Sequence, residues 1–143
     1  MASNPSLALK RRFKAPPAQL FQAWTQPEKM IRWWGVYDQG KAPIAETDLK
    51  VGGHFRVQFW TPDGAYHSVS GIYREVVPDR KLVFSWAWQS TPDRESQVTI
   101  DLKPDDDGTI LTLTHEQFFN EKARDDHRVG WTHALDQLER FLA

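Results

Sequence analysis

Between residues 54 and 116 apolar side chains recur at every second position, whereas from residue 121 to 142 they recur at every third or fourth. A repeat of two places side chains on one face of a strand, and a repeat near 3.6 places them on one face of a helix. The chain is therefore predicted to lay down a series of strands and finish with one helix. Residues 82–88 give the clearest alternation, with Leu82, Phe84, Trp86 and Trp88 on one face and Val83, Ser85 and Ala87 on the other. Residues 54–61 set Phe55, Val57 and Phe59 against Arg56, Gln58 and Trp60. Further strands are expected from Ile44 onward and over 66–77, 97–103 and 109–116. Pro62-Asp63-Gly64, Pro78-Asp79 and Asp105-Asp106-Asp107-Gly108 carry the residues that tight turns prefer. Consecutive strands joined by tight turns form an antiparallel meander.

The closing segment presents Trp131, Ala134, Leu135, Leu138, Phe141 and Leu142 at helical spacing, and Asn120 suits an N-cap. Roughly 22 residues at 1.5 Å each give a helix about 33 Å long, enough to cross a sheet. Its apolar stripe needs a partner, and the aromatic face of the meander is the large apolar surface on offer. Ahead of the meander, residues 6–14 alternate as an amphipathic strand, with Leu7, Leu9 and Phe13 on one parity. Two short helices then follow. Pro16-Pro17 opens the first, with Leu20, Phe21 and Trp24; Pro27 restarts the second, with Met30, Ile31 and Trp34, and Gly35 suits its end.

The chain has 143 residues, the size of one domain, and shows no repeat or long linker. A single domain over 1–143 is expected. The 18 basic and 19 acidic residues leave a net charge of -1, so neither nucleic acid nor a membrane is an expected partner. Lys10-Arg11-Arg12 and Lys14 read as a solvated strand face. Cysteine is absent, which removes disulfides, thiol catalysis and thiolate metal sites. No apolar run reaches spanning length, the first residues lack a secretory pattern, and Pro5 spoils the sequon Asn4-Pro5-Ser6. A cytoplasmic protein is expected. Seven Trp and eight Phe supply far more ring bulk than a minimal core requires.

The order strand, two short helices, six-strand meander and long helix resembles the START-like helix-grip (SRPBCC) superfamily. The local wording is narrower. It includes Phe13-Lys14-Ala15-Pro16 with Leu20-Phe21-Gln22-Ala23-Trp24, then Thr25-Gln26-Pro27-Glu28 through Arg32-Trp33-Trp34-Gly35. Val51-Gly52-Gly53-His54-Phe55, Gly71-Ile72-Tyr73-Arg74-Glu75-Val76, Leu82-Val83-Phe84-Ser85-Trp86 and Leu111-Thr112-Leu113-Thr114-His115 follow in order. Gly130-Trp131 with Ala134-Leu135-Asp136 and Leu138 closes the series. Together these blocks resemble the family related to the C-terminal domain of the activator of the heat-shock protein 90 ATPase. The resemblance implies an α+β helix-grip fold, with a curved antiparallel sheet of six to seven strands wrapped around the long C-terminal helix. It also implies a cavity between sheet and helix, and transfers no catalytic set. The full-length co-chaperone carries an additional N-terminal domain that this sequence lacks, so a chaperone is not the expected partner.

Among possible chemical groups, His115 shares parity with Leu111 and Leu113 and is expected to face the helix. His67 shares parity with Val69, Gly71 and Tyr73. His127 precedes Trp131 by four residues on one helical face, at the expected mouth of the pocket. His133 stands about 200° from Trp131 and should be solvated, and His54 should face outward. His115-Glu116 begins like a zincin motif, but Phe119 occupies the place of the second His. The acidic run at 105–108 reads as a turn rather than a calcium loop. No phosphate-binding motif occurs, and no metal or cofactor is expected.

The expected function is therefore non-catalytic binding of a small apolar or aromatic molecule. The expected lining is Phe55, Val57, Phe59, Tyr73, Phe84, Trp86, Trp88, His115, Trp131 and Leu135. Tyr73, Glu75, His115 and Gln117 are candidates to orient the ligand, with Trp33 and Trp34 closing one end. The alternatives are a cyclase- or hydrolase-type enzyme with His115 or His67 as base, and a co-chaperone or stress-response interaction module. A monomer and a homodimer packed through exposed Trp60 or Trp88 both remain open.

Overall fold

The computed structural model describes residues 4–34, 43–61 and 63–143. The expected helix end at Gly35 and the first turn residue, Pro62, lie outside these residues. The chain runs β1 (Leu7–Phe13), α1 (Pro17–Thr25), α2 (Pro27–Met30), β2 (Ile44–Thr47), β3 (His54–Trp60) and β4 (Tyr66–Val77). It continues through β5 (Lys81–Trp88), β6 (Ser96–Asp105) and β7 (Gly108–Glu116) to α3 (Glu121–Leu142). All seven strands form one antiparallel sheet in the order β1-β7-β6-β5-β4-β3-β2. The meander β2 to β7 follows the expected turns. β1 joins the last strand, with Leu7 opposite His115 and Phe13 opposite Thr109, so the two short helices bridge the two edges of the sheet.

Local chemistry explains the element boundaries. Pro17 and Pro27 each occupy the first helical turn, where a missing N–H costs nothing. Asn120 Oδ1 accepts from the Ala123 N–H at 2.8 Å and caps α3. Asp79 and Asp106 adopt positive φ in the β4–β5 and β6–β7 turns, a conformation that short polar side chains tolerate better than most.

One departure from simple alternation lies in β4. Tyr73 pairs with Phe84 and Glu75 with Val83, so β4 carries an extra residue between them. The bulge inverts the parity: Glu75 points to solvent and Val76 packs toward the core. Just before it, Gly71 crosses β5 so closely that a Cβ would overlap the Ser85 carbonyl oxygen and lie 2.7 Å from the Phe55 ring. The Ile72 N–H donates to Ser85 Oγ at 2.8 Å instead of to a backbone carbonyl. Bulge and glycine together bend the sheet.

The concave side of the bend holds α3. Trp131, Leu135 and Leu138 are buried in one core with Leu82, Ile100, Leu102, Leu111 and Leu113. Arg11 Nη1 pairs with Asp136 Oδ1 at 2.6 Å and ties the helix to β1. From the short helices, Leu20, Phe21, Trp24, Met30, Trp33 and Trp34 complete the same core. No helix among the described residues is long and apolar enough to cross a membrane.

Candidate functional site

Six of the seven tryptophans form a continuous chain of ring contacts from the short helices to β5. Trp33 and Trp24 lie 4.8 Å apart, Trp24 and Trp34 6.1 Å, and Trp34 and Trp131 5.7 Å. Trp131 then meets Trp86 at 4.9 Å, and Trp86 meets Trp88 at 5.4 Å with the two planes nearly perpendicular. Trp33 is fully buried and its indole N–H donates to the Ala23 carbonyl at 2.9 Å. It therefore belongs to the core, while Trp34 stacks on Trp86 at 5.8 Å and borders an open space.

That space is a half-open cleft of about 1040 Å³ between the β3–β5 end of the sheet and α3. Trp34, Phe59, Trp86, Trp88 and Trp131 make its apolar walls, and Trp60, Tyr66 and His67 its outer sheet side. Four of the ten expected lining residues meet there: Phe59, Trp86, Trp88 and Trp131. The other six, Phe55, Val57, Tyr73, Phe84, His115 and Leu135, are buried in packed core away from the cleft. The physical reason is the twist of the sheet. Phe84 shares parity with Trp86 and Trp88, but it lies earlier in β5, where Phe55 and Tyr73 close over it at 5.0 and 6.3 Å. Burial among those rings raises the Tyr73 hydroxyl well above its ordinary pKa. Of the other polar candidates, Glu75 and Gln117 are exposed.

The histidines show how the walls are held. Trp131 Nε1–H donates to His115 Nδ1 at 3.0 Å. An indole N–H can only donate, so Nδ1 is the acceptor, and Nε2–H faces Ser96 Oγ at 2.7 Å. The serine hydroxyl is then free to donate to the Trp86 carbonyl at 3.3 Å. His115 is thus neutral, with both ring nitrogens occupied. Burial, assisted by nearby His127, pushes its pKa from 6.5 down to about 2.

His127 takes the opposite tautomer. Its Nε2 receives indole N–H groups from Trp88 at 2.9 Å and Trp86 at 3.3 Å, and its Nδ1 meets the Ala123 carbonyl at 2.7 Å. Two donors converging on Nε2 require the proton on Nδ1. Burial lowers the pKa of His127 as well. The ring stands on the cleft wall, inside the expected mouth, and fixes both β5 indoles edge-on. His67 also lines the cleft, stacked on Phe59 at 5.3 Å with Nε2 3.2 Å from Thr61 Oγ1. His133 is exposed, as its helical angle predicts, yet borders the cleft rim. His54 is exposed on the outer face.

Sequence reasoning singled out neither Trp60 and Tyr66 as walls nor Arg140 as a rim residue. Trp60 has the parity opposite to Phe59, but the twisted end of the β3–β4 hairpin brings it beside Tyr66 at 5.2 Å and to the cleft. Trp60 and Trp88 are half-buried rather than freely exposed. The signal that does find the α3 wall is helical spacing from Trp131: His127, Ala134 and Gly130 lie within one turn of it. Among the described residues no group of three or more His, Cys, Asp or Glu side chains could hold a metal ion.

The family model described as "Activator of Hsp90 ATPase homolog 1-like protein" matches residues 14–143. Among solved structures, protein CV1439 from Chromobacterium violaceum superposes with a TM-score of 0.81 at 23% identity, covering 96% of this chain and 97% of that one. A putative uncharacterized protein from Rhizobium leguminosarum gives 0.79 at 27% identity, covering 97% and 94%. CalU16 from Micromonospora echinospora gives 0.74 at 30% identity, covering 96% of this chain and 76% of its own. No curated protein matches the chain.

Proposed function

The chain belongs to the family of Activator of Hsp90 ATPase homolog 1-like proteins, and from that premise we propose that it binds a small apolar or aromatic molecule in the cleft between sheet and α3. The observation that carries this reading is a cleft of about 1040 Å³ walled by Trp34, Phe59, Trp86, Trp88 and Trp131. Large apolar concavities with a few polar groups are the usual form of small-molecule sites. The rings here are held in place rather than left to collapse, because Trp86 and Trp88 are bonded to His127 and Trp131 to His115. A wall fixed before the ligand arrives reduces the ordering cost of binding.

His115 and His127 are arranged to hold rings rather than to act as bases. A general base needs a lone pair within reach of the substrate. The acceptor nitrogens of His115 and His127 already take indole N–H groups, and His115 lies outside the cleft. The test is native mass spectrometry and thermal melting against a panel of planar apolar compounds. At least one compound should form a one-to-one adduct and raise Tm by several degrees, since ligand at 100 times Kd adds about 2.7 kcal/mol. A panel that leaves both mass and Tm unchanged would rule the proposal out.

A further inference from the structure

We propose that the cleft selects aromatic molecules carrying a carboxylate, held by Arg140 on α3 with the aromatic body against the tryptophan walls. This inference rests on the binding reading above and specifies its ligand class.

The charges around the cleft are unequal once their partners are counted. Among the described residues three charged side chains border it: Asp126, Asp136 and Arg140. Asp126 Oδ2 accepts from Lys122 Nζ at 2.7 Å, and Asp136 Oδ1 from Arg11 Nη1 at 2.6 Å. Both acids are therefore matched by cations. Arg140 has no carboxylate within ion-pair distance among the described residues. It follows Asp136 by four positions on the same helix, but the Asp136 carboxylate is drawn to β1 instead. Among the described residues, what remains at the rim is one guanidinium without an ion-pair partner, which can present a planar fork of donors to a carboxylate.

The hydrogen-bonding character of the walls points the same way. Trp34 is 5% exposed, lines the cleft, and its indole N–H meets no acceptor among the described residues. By contrast the acceptor nitrogen of His127, which a ligand donor would seek, is already filled by two indoles. Arg140 and Trp34 thus keep donors without a partner among the described residues, while that acceptor on the wall is taken. A ligand matched to the Arg140 end of the rim brings a negatively charged acceptor. The accessible rings set the rest: half-buried Phe59, Trp60 and Trp88, with exposed Tyr66, supply the surface for a flat aromatic body.

Binding of naphthalene-2-carboxylate and of naphthalene-2-carboxamide, which share one ring system, separates the two terms. Quenching of the cleft tryptophans follows both. The carboxylate is expected to bind the wild type about tenfold more tightly than the amide at low salt, with the ratio shrinking as salt rises. Arg140→Gln should bring the two affinities within about twofold by weakening the carboxylate alone, and Arg140→Lys should keep part of the preference. Equal affinities in the wild type, or a preference that survives in Arg140→Gln, overturn the carboxylate assignment and leave the binding reading standing. If neither compound nor any neutral aromatic of the same size binds, both fall together.

Discussion

At the residue level, indole N–H groups decide the protonation of two histidines, and this has a consequence for stability. His115 is fully buried, which disfavours its charged form, and its Nδ1 accepts from Trp131. In the unfolded chain the same imidazole takes up a proton below its ordinary value of 6.5, whereas in the folded protein it does so only near 2. Between those values the unfolded state binds more protons, so stability falls as pH drops from 6.5. The slope from one such group approaches about 1.4 kcal/mol per pH unit. His127 adds to it in the same direction, because burial lowers its pKa too. Urea unfolding of the wild type and His115→Gln between pH 6.5 and pH 4 measures this. The variant starts less stable but should lose stability less steeply; parallel slopes would show that His115 titrates normally. The parity of residues 109–116 already directed His115 inward, but nothing in the chain identified its bonding partners. Trp131 stands sixteen residues away and Ser96 nineteen, on different elements.

Among the elements, β4 shows where local pattern and packing part company. Residues 66–77 read as one uninterrupted strand, and they form one. The extra residue between Tyr73 and Glu75 nevertheless exchanges the two faces partway along, which places Glu75 in solvent. A bulge has no reliable mark in a single sequence, although Gly71 inside an alternating run is the kind of residue that accompanies one. Gly71→Ala is expected to destabilise the fold by about 2–4 kcal/mol, because the new methyl group meets the Ser85 backbone and cannot be relieved by a side-chain rotation. Chemical denaturation checks this, and a loss under about 0.5 kcal/mol would mean that β4 and β5 can separate freely there. The helices raise no such conflict. Proline at two N-termini and Asn120 ahead of α3 act within a few residues of where they stand, so their effect could be read directly.

For the molecule as a whole, the cleft is the space left when a bent sheet meets a straight helix and the available rings fill one end only. Phe55, Tyr73 and Phe84 pack that end closed, and half-buried Phe59, Trp60 and Trp88 border the open one. Ala134 sits half-buried on the α3 wall, where a small side chain leaves the volume free. Ala134→Trp should therefore fill the cleft, keep Tm within about 3 °C of the wild type and abolish binding of naphthalene-2-carboxamide. Unchanged affinity in a folded Ala134→Trp variant would place the ligand elsewhere on the protein. The sequence by itself determined the strands, their antiparallel connection, the final helix and the apolar faces, since each follows from contacts between residues near one another in the chain. Only the tertiary structure decided which rings line the cleft, which histidine each indole bonds, and which rim charge has no ion-pair partner among the described residues. Those depend on sheet twist, a bulge and distant packing, and a side chain's parity says which way it points without saying what it meets.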